Sequence, residues 1–175
     1  MQIKTIFLDR DGVINEEVNY LYKKNDFKFI DGVFDACKYF VEIGYEIIIV
    51  TNQSGIFRGY YSESDYLLVT EWMIEKFRNY GIKILDVFHC PHDSTSNCEC
   101  RKPKPGMFLE AQIKHNIDME NSWMIGDKEI DISAANSSGI NKTILVRSGH
   151  KNIEEKSKAS FFLHSIKSSP KVITK

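Results

Sequence analysis

Short apolar runs that alternate with longer amphipathic segments constrain the fold of this chain more than any other feature. The first run, Ile3 to Leu8, stops abruptly at Asp9, and a later run, Glu46 to Val50, stops at Thr51. Buried β-branched runs of this length are typical of strands in a parallel sheet. The same pattern predicts further strands at Ile84–His89, Ser122–Ile125 and Thr143–Val146, and a small edge strand at Phe161–Leu163.

Helices are predicted between these strands. They cover Val33–Ile43, a segment from a Ser62 cap to about Tyr80, a segment from Pro105 to about Asn116, and Ile130–Ser138, whereas the tail Lys167–Lys175 is predicted to be frayed. Strands that alternate with helices imply βαβ crossovers. The predicted fold class is therefore α/β, a three-layer, doubly wound, Rossmann-like and mainly parallel sheet that binds its ligands at the carboxyl ends of the strands.

Length and charge restrict the function as well as the fold. The 175 residues suit a single domain, residues 1–175, and leave no room between the first and third strands for a lid domain. A formal charge of -1 gives no sign of nucleic-acid binding, and no apolar run is long enough to span a membrane. We therefore expect a cytoplasmic protein with a small-molecule partner, and a monomer by default.

Acidic residues follow two of the predicted strands. Asp9 and Asp11 are two positions apart, so an extended backbone would point both side chains into one crevice, and Asp127 follows the fourth strand. Three close carboxylates need a cation among them, and hard oxygen ligands suit Mg²⁺. We expect Asp9 to be the nucleophile towards a phosphate and Asp11 the general acid and then base. An isolated Asp-x-Asp is a weak signal, since exposed turns and sugar-nucleotide transferases also carry it.

Groups that would hold a phosphate are found near other element ends. Thr51 and the Asn52–Gly55 turn offer a hydroxyl and backbone N–H donors, although Thr51 and Asn52 would serve equally as a helix cap. Lys102 or Lys104, just before a helix, would hold the transferred phosphate, and Arg101 would pair with another substrate anion. Their joint occurrence at element ends favours a site of phosphate chemistry over scattered surface charges.

The four cysteines are distributed unevenly. Cys37 stands alone in a predicted helix, whereas Cys90, Cys98 and Cys100 crowd one short stretch. In a reducing compartment, such crowding suggests a metal site before a disulfide.

Four motifs together carry a family resemblance. They are Phe7-Leu8-Asp9-Arg10-Asp11-Gly12-Val13-Ile14-Asn15, Thr51-Asn52-Gln53-Ser54-Gly55-Ile56, the Cys98–Met107 segment with its Arg-Lys-Pro-Lys-Pro-Gly core, and Gly126-Asp127. From about Ile3 to Val146, the chain resembles the haloacid dehalogenase (HAD) superfamily. Within it, the chain is similar to the capless D-glycero-D-manno-heptose 1,7-bisphosphate 7-phosphatases and to the related histidinol-phosphatases.

The resemblance implies a role for each matching residue. Asp9 matches the nucleophile and Asp11 the acid/base, and Asp9, the Asp11 backbone carbonyl and Asp127 match the magnesium ligands. Thr51 and Lys102 match the residues that stabilise the phosphoryl group, which favours Lys102 over Lys104. Residues that match or adjoin substrate contacts are Glu17, Val18, Asn19, Tyr20, Asn52, Gln53, Ser54, Arg101 and Lys128.

The resemblance also assigns the cysteine-rich loop at residues 90–100. Cys90, His92, Cys98 and Cys100 match a zinc site, and four N/S ligands without an open position describe a structural Zn²⁺. A disulfide or unrelated thiols are the alternatives. His89, next to Cys90, is expected to be structural and not a ligand.

The implied activity is removal of the 7-phosphate from D-glycero-D-manno-heptose 1,7-bisphosphate. The expected enzyme is of the type named after the β anomer of this substrate, although the motifs do not determine the anomer. The short loop between His92 and Cys98 keeps histidinol phosphate as an alternative substrate. A phospho-aspartate receiver domain is the non-enzymatic alternative, but its acceptor should end the third strand, where this chain has Phe88-His89-Cys90.

Overall fold

The computed structural model describes residues 2–150 and 156–175. Its centre is a six-stranded sheet in the order β3-β2-β1-β4-β5-β6, and all neighbouring strands are parallel. The strands are β1 (Thr5–Leu8), β2 (Glu46–Asn52), β3 (Ile84–Cys90), β4 (Trp123–Gly126), β5 (Lys142–Val146) and β6 (Phe161–Leu163). The α/β fold class predicted from the sequence is confirmed.

The helices connect the strands in the predicted alternation. They are α1 (Val33–Glu42), α2 (Glu63–Asn79), α3 (Gly106–His115) and α4 (Glu129–Ser137), with 3-10 helices at Lys24–Asp26 and Ile166–Lys171. The Ser62 side chain accepts a hydrogen bond from the Asp65 backbone N–H at 3.1 Å, which is the predicted cap of α2.

The strand order reverses at β1, which lies between β2 and β4. The chain runs outward through β2 and β3 on one side, then returns to pair β4 with the other edge of β1. In doubly wound sheets such a reversal opens a crevice at the carboxyl ends of the strands. Residues that follow β1 and β4 therefore face the same crevice.

Both faces of the sheet are covered by apolar side chains. Along β1, Ile6 and Leu8 belong to the cluster with α1 and α2, whereas Phe7 belongs to the cluster with α3 and α4. All three are fully buried. This double burial explains why the strands appear in the sequence as continuous apolar runs and not as alternating ones.

The C-terminal segment differs from its prediction. We predicted frayed chain over Lys167–Lys175, but Ile166–Lys171 is a 3-10 helix packed against α1. Ile166 and Ile173 are fully buried in the same apolar cluster as α1. The prediction was wrong because two apolar residues seven positions apart anchor a segment whose composition is otherwise polar.

The segment between β1 and α1 supplies part of the wall of the crevice. Over residues 9–32, all of which the structure describes, the only helix is Lys24–Asp26, and no further domain is inserted.

Among the described residues, no helix is both long and apolar enough to cross a lipid bilayer.

Candidate active site

Three carboxylates meet where β1 and β4 end. Asp9 follows β1 and Asp127 follows β4, and the Asp9 backbone N–H donates to the Ile125 carbonyl at 3.0 Å. The side chain of Asp131, in the first turn of α4, completes the group, and one oxygen from each carboxylate lies within 4.8 Å of the others. We call Asp9, Asp127 and Asp131 the acidic group.

The sequence predicted that Asp9, Asp11 and Asp127 form a group of three carboxylates. In the structure the third member is Asp131 and not Asp11. Asp131 is fully buried, and it lies so close to Gly126 that a Cβ at that glycine would overlap its side chain. Asp131 was not predicted as a site residue, although its place near the start of the helix predicted after Asp127 puts it at the carboxyl end of the same strand.

Lys102 lies against the acidic group. Its Nζ is 2.9 Å from an Asp9 oxygen and 2.7 Å from an Asp131 oxygen, and it donates to the Val50 carbonyl at 2.8 Å. The residue is 2% exposed. Burial alone would lower the pKa of Lys102, but the charges of Asp131 and Asp9 raise it above its usual value. Lys102 is therefore a cation at this site.

One lysine does not balance three carboxylates. Burial raises the pKa of Asp9 to about 6, with Lys102 opposing the shift and Asp131 and Asp11 adding to it. Burial and the charges of Asp9 and Asp131 raise the pKa of Asp127 to about 9. Hard oxygen donors that are crowded and short of positive charge fit a divalent cation such as Mg²⁺.

Asp11 lies beside the acidic group and has partners of its own. Its carboxylate accepts from the Arg10 Nη2 at 3.0 Å, the Asn15 Nδ2 at 3.0 Å and the Gln53 Nε2 at 3.0 Å. Burial alone would raise the pKa of Asp11, but the Arg10 charge and these hydrogen bonds hold it below its usual value. Asp11 is therefore an anion in this structure, and Arg10 is a second buried residue that the sequence analysis missed.

The turn after β2 takes part through hydrogen bonds. Thr51 is 1% exposed, and its hydroxyl accepts from the Gln53 Nε2 at 2.9 Å. Asn52 binds the Lys102 backbone twice, since its Nδ2 donates to the carbonyl and its Oδ1 accepts from the N–H, both at 3.1 Å. Thr51 and Asn52 end β2 and do not cap a helix, so that alternative is excluded.

These residues surround an open cavity of about 190 Å³. Asp9, Asp11 and Lys102 are among the residues that line it. The predicted substrate contacts that line it are Glu17, Val18, Asn19, Tyr20, Asn52, Gln53, Ser54 and Lys128.

Three residues predicted for the catalytic site do not line the cavity: Thr51, Arg101 and the fully buried Asp127. Thr51 lies behind Gln53, and the Arg101 Nη1 donates to the His92 carbonyl at 2.9 Å. Arg101 is thus bound to the cysteine-rich loop at the edge of the site. A contact with a substrate in the cavity would require this side chain to turn inward.

The cysteine-rich loop brings its four predicted ligands together. Ligand atoms of Cys90, His92, Cys98 and Cys100 all lie within 4.8 Å of one another. The Cys90 Sγ is 3.7 Å from the Cys98 Sγ, and the His92 Nδ1 is 3.4 Å from the Cys100 Sγ. Zn–S bonds of about 2.3 Å in a tetrahedron place sulfurs roughly 3.8 Å apart. The Cys90–Cys98 pair matches this spacing, and the Cys90–Cys100 pair, at 2.9 Å, would have to widen to hold Zn²⁺.

The alternatives for this loop fit less well. All four cysteines are free thiols, and the shortest sulfur pair, Cys90 and Cys100, is 2.9 Å apart. This separation is too long for a disulfide bond. His89 lies away from the cluster, with its Nε2 2.6 Å from a Glu63 oxygen and its ring 4.3 Å from that of Tyr66.

Comparisons with known proteins agree with this arrangement. Residues 99–168 match a family model described as HAD-hydrolase-like. The chain is 48% identical over 160 residues to a D-glycero-alpha-D-manno-heptose-1,7-bisphosphate 7-phosphatase of Photorhabdus laumondii, with 87% of each chain covered. It is 44% identical to a D-glycero-beta-D-manno-heptose-1,7-bisphosphate 7-phosphatase of Vibrio cholerae, with 94% of this chain and 93% of the relative covered.

A solved structure extends the likeness to three dimensions. The D,D-heptose 1,7-bisphosphate phosphatase of B. bronchiseptica, determined with magnesium and phosphate, superposes with a TM-score of 0.86 at 25% identity over 97% of both chains. The chain therefore belongs to the heptose-1,7-bisphosphate 7-phosphatase family of HAD-like hydrolases.

Proposed function

We propose that this protein removes the 7-phosphate of D-glycero-D-manno-heptose 1,7-bisphosphate through an aspartyl phosphate on Asp9. The observation that carries the proposal is the convergence of Asp9, Lys102 and Asp127 beside an open cavity that Asp9 and Lys102 line, in a chain whose relatives are named for this activity. Phosphoryl transfer requires mainly positioning and charge neutralisation, which this group of side chains supplies.

The reaction consists of two displacements at phosphorus, in which Asp9 is the nucleophile and then the leaving group, and Asp11 is the acid and then the base. A carboxylate oxygen of Asp9 bonds to phosphorus while the ester P–O bond breaks, and Asp11 gives a proton to the departing sugar oxygen. Water then attacks the phosphorus, Asp11 takes its proton, and the Asp9–phosphorus bond breaks to release phosphate. The anionic Asp11 of this structure suits the second displacement, and it must gain a proton before the first.

Positive charge and N–H donors would hold the phosphate. Asp9, the Asp11 backbone carbonyl and Asp127 would hold Mg²⁺, which neutralises phosphoryl oxygens and lets an anionic nucleophile approach. Lys102, whose Nζ contacts Asp9, would bind a phosphoryl oxygen. Thr51 would act on the same group, with the Asn52–Ser54 turn supplying further donors.

The remaining residues would bind the rest of the substrate. The Glu17–Tyr20 loop and Lys128 line the cavity and suit the sugar hydroxyls and the negative charge of a bisphosphate. Arg101 would reach the second phosphate only after leaving the His92 carbonyl. Its guanidinium geometry is well matched to phosphate.

Neither alternative function is favoured. The relatives named above are heptose bisphosphate phosphatases and not histidinol-phosphatases. A receiver domain needs an acceptor carboxylate after its third strand, and β3 ends at Cys90.

A steady-state comparison of substrates tests the proposal. We expect kcat/KM for at least one anomer of the heptose bisphosphate to exceed that for histidinol phosphate by about 100-fold or more, because polar groups built for one substrate are left unpaired by the other. One relative is named for the α anomer and another for the β anomer. Assaying the two anomers separately therefore determines which one this enzyme prefers. A higher kcat/KM for histidinol phosphate would reverse the assignment.

The cysteine-rich loop is proposed to hold a structural Zn²⁺. We expect about one zinc per chain by atomic absorption, and we expect its loss in Cys98→Ser, because a tetrahedral site with three ligands binds the ion far more weakly. Cys37→Ala is the matched control, since Cys37 is buried in the core far along the chain from the loop. Equal zinc content in Cys98→Ser and the unaltered protein would contradict the site.

A further inference from the structure

The loop that follows β5 turns back across the acidic group. The Ser148 hydroxyl donates to the Gly12 carbonyl at 2.6 Å. Gly12 and Gly149 lie so close to Asp127 that a Cβ at either position would overlap the carboxylate. Because both residues lack a Cβ, the backbone of this loop can lie directly on Asp127.

His150, the next residue of this loop, makes two contacts with one oxygen of Asp127. Its Nδ1 is 2.6 Å from the Asp127 Oδ2, and its backbone N–H donates to the same oxygen at 3.1 Å. With Asp127 ionised, as a ligand to a divalent cation must be, Nδ1 carries the proton and donates. Two donors on one oxygen fix the rotation of the carboxylate and therefore the direction of its other oxygen.

The two partners differ in their exposure to solvent. The Asp127 side chain is fully buried, whereas the His150 side chain is 39% exposed and lines the cavity. The imidazole thus reaches from the mouth of the cavity to a carboxylate that solvent does not reach.

We propose that His150 is a positioning residue for the divalent cation, because it aims the Asp127 carboxylate into the acidic group. The inference rests on the proposed function, since it takes Asp127 as a ligand. Hydrogen-bond partners of ligating carboxylates set the direction of the ligand atom, and their loss typically weakens metal binding about 10- to 100-fold. His150 acts on the reaction through Asp127 and the metal.

Direct binding of Mn²⁺ to the zinc-loaded protein tests this inference independently of turnover. Mn²⁺ takes the same hard oxygen ligands as Mg²⁺, and its free concentration can be read by electron paramagnetic resonance. We expect the Kd to rise about 10- to 100-fold in His150→Ala. We expect His150→Asn to recover most of the affinity, because its amide N–H can replace Nδ1–H. The matched control is His164→Ala, which removes an exposed imidazole and should leave the Kd unchanged.

Each contrary result has a distinct meaning. An unchanged Kd in His150→Ala, with a raised KM for the bisphosphate, would make His150 a substrate contact and overturn the inference. Equal losses in His150→Ala and His150→Asn would also overturn it, since the hydrogen bond would not be the cause. If the unaltered protein fails to bind Mn²⁺, the proposed metal site itself fails, whereas failure of the inference alone leaves that binding intact.

Discussion

Replacing Asp9 with Asn should lower kcat by at least about 10⁴-fold while leaving the fold and the zinc content unchanged. The amide is isosteric with the carboxylate but is a far weaker nucleophile, so no aspartyl phosphate forms. Asp131 remains at 2.7 Å from the Lys102 Nζ, so the buried lysine keeps a partner. Steady-state assays, together with mass spectrometry of acid-quenched enzyme for the phosphorylated peptide, measure the effect.

The matched control for this variant is Asp26→Asn, which changes an exposed carboxylate in the 3-10 helix before α1. Its kcat should equal that of the unaltered enzyme. Turnover by Asp9→Asn at a rate near that of this control would exclude Asp9 as the nucleophile.

Replacing Lys102 with Ala should affect stability and catalysis together. The lysine is 2% exposed and lies between Asp9 and Asp131, so its removal leaves buried carboxylates without their cation. Breaking a buried ion pair in this way costs about 3–5 kcal/mol of unfolding free energy. We also expect kcat to fall about 10²- to 10³-fold, because one charge that stabilises the transferring phosphoryl group is lost.

Lys104→Ala is the matched control, two positions away. The Lys104 side chain is 41% exposed and pairs with Glu99, which is 83% exposed, so solvent screens the interaction. Stability and kcat should both stay close to those of the unaltered protein. Urea unfolding and steady-state kinetics on the two variants show which lysine contributes to stability and to kcat. A larger loss of kcat in Lys104→Ala would indicate that Lys104, and not Lys102, holds the transferred phosphate.

Magnesium should restore part of the stability that Lys102→Ala loses. A divalent cation bound by Asp9 and Asp127 replaces some of the missing positive charge, and binding to the folded state alone stabilises it. Urea unfolding with and without Mg²⁺ measures the recovery.

The sequence predicted the proximity of Asp9 and Asp127 for a reason that holds across parallel sheets. Residues that follow neighbouring strands meet at one edge, and β1 and β4 are neighbours because the strand order reverses there. In the cysteine-rich loop, the crowding of Cys90, Cys98 and Cys100 along the chain indicated a metal site, whereas His92 was added to the set only by the family resemblance.

Other features of the site depend on side-chain directions that strand and helix patterns do not encode. Asp11 follows Asp9 by two positions, yet its carboxylate is bound by Arg10, Asn15 and Gln53 beside the acidic group. Asp131 enters the group only because α4 packs its first turn against the end of β4. Periodicity places residues on a face, but it does not give the partner that each polar group binds.

The buried C-terminal segment has a consequence for how the chain is made. Ile166 and Ile173 cover an apolar surface on α1, which is synthesised among the first quarter of the residues. A growing or prematurely terminated chain therefore presents that surface to chaperones and to other unfinished chains. Removing residues 166–175 should therefore expose this part of α1 and favour association between unfinished chains.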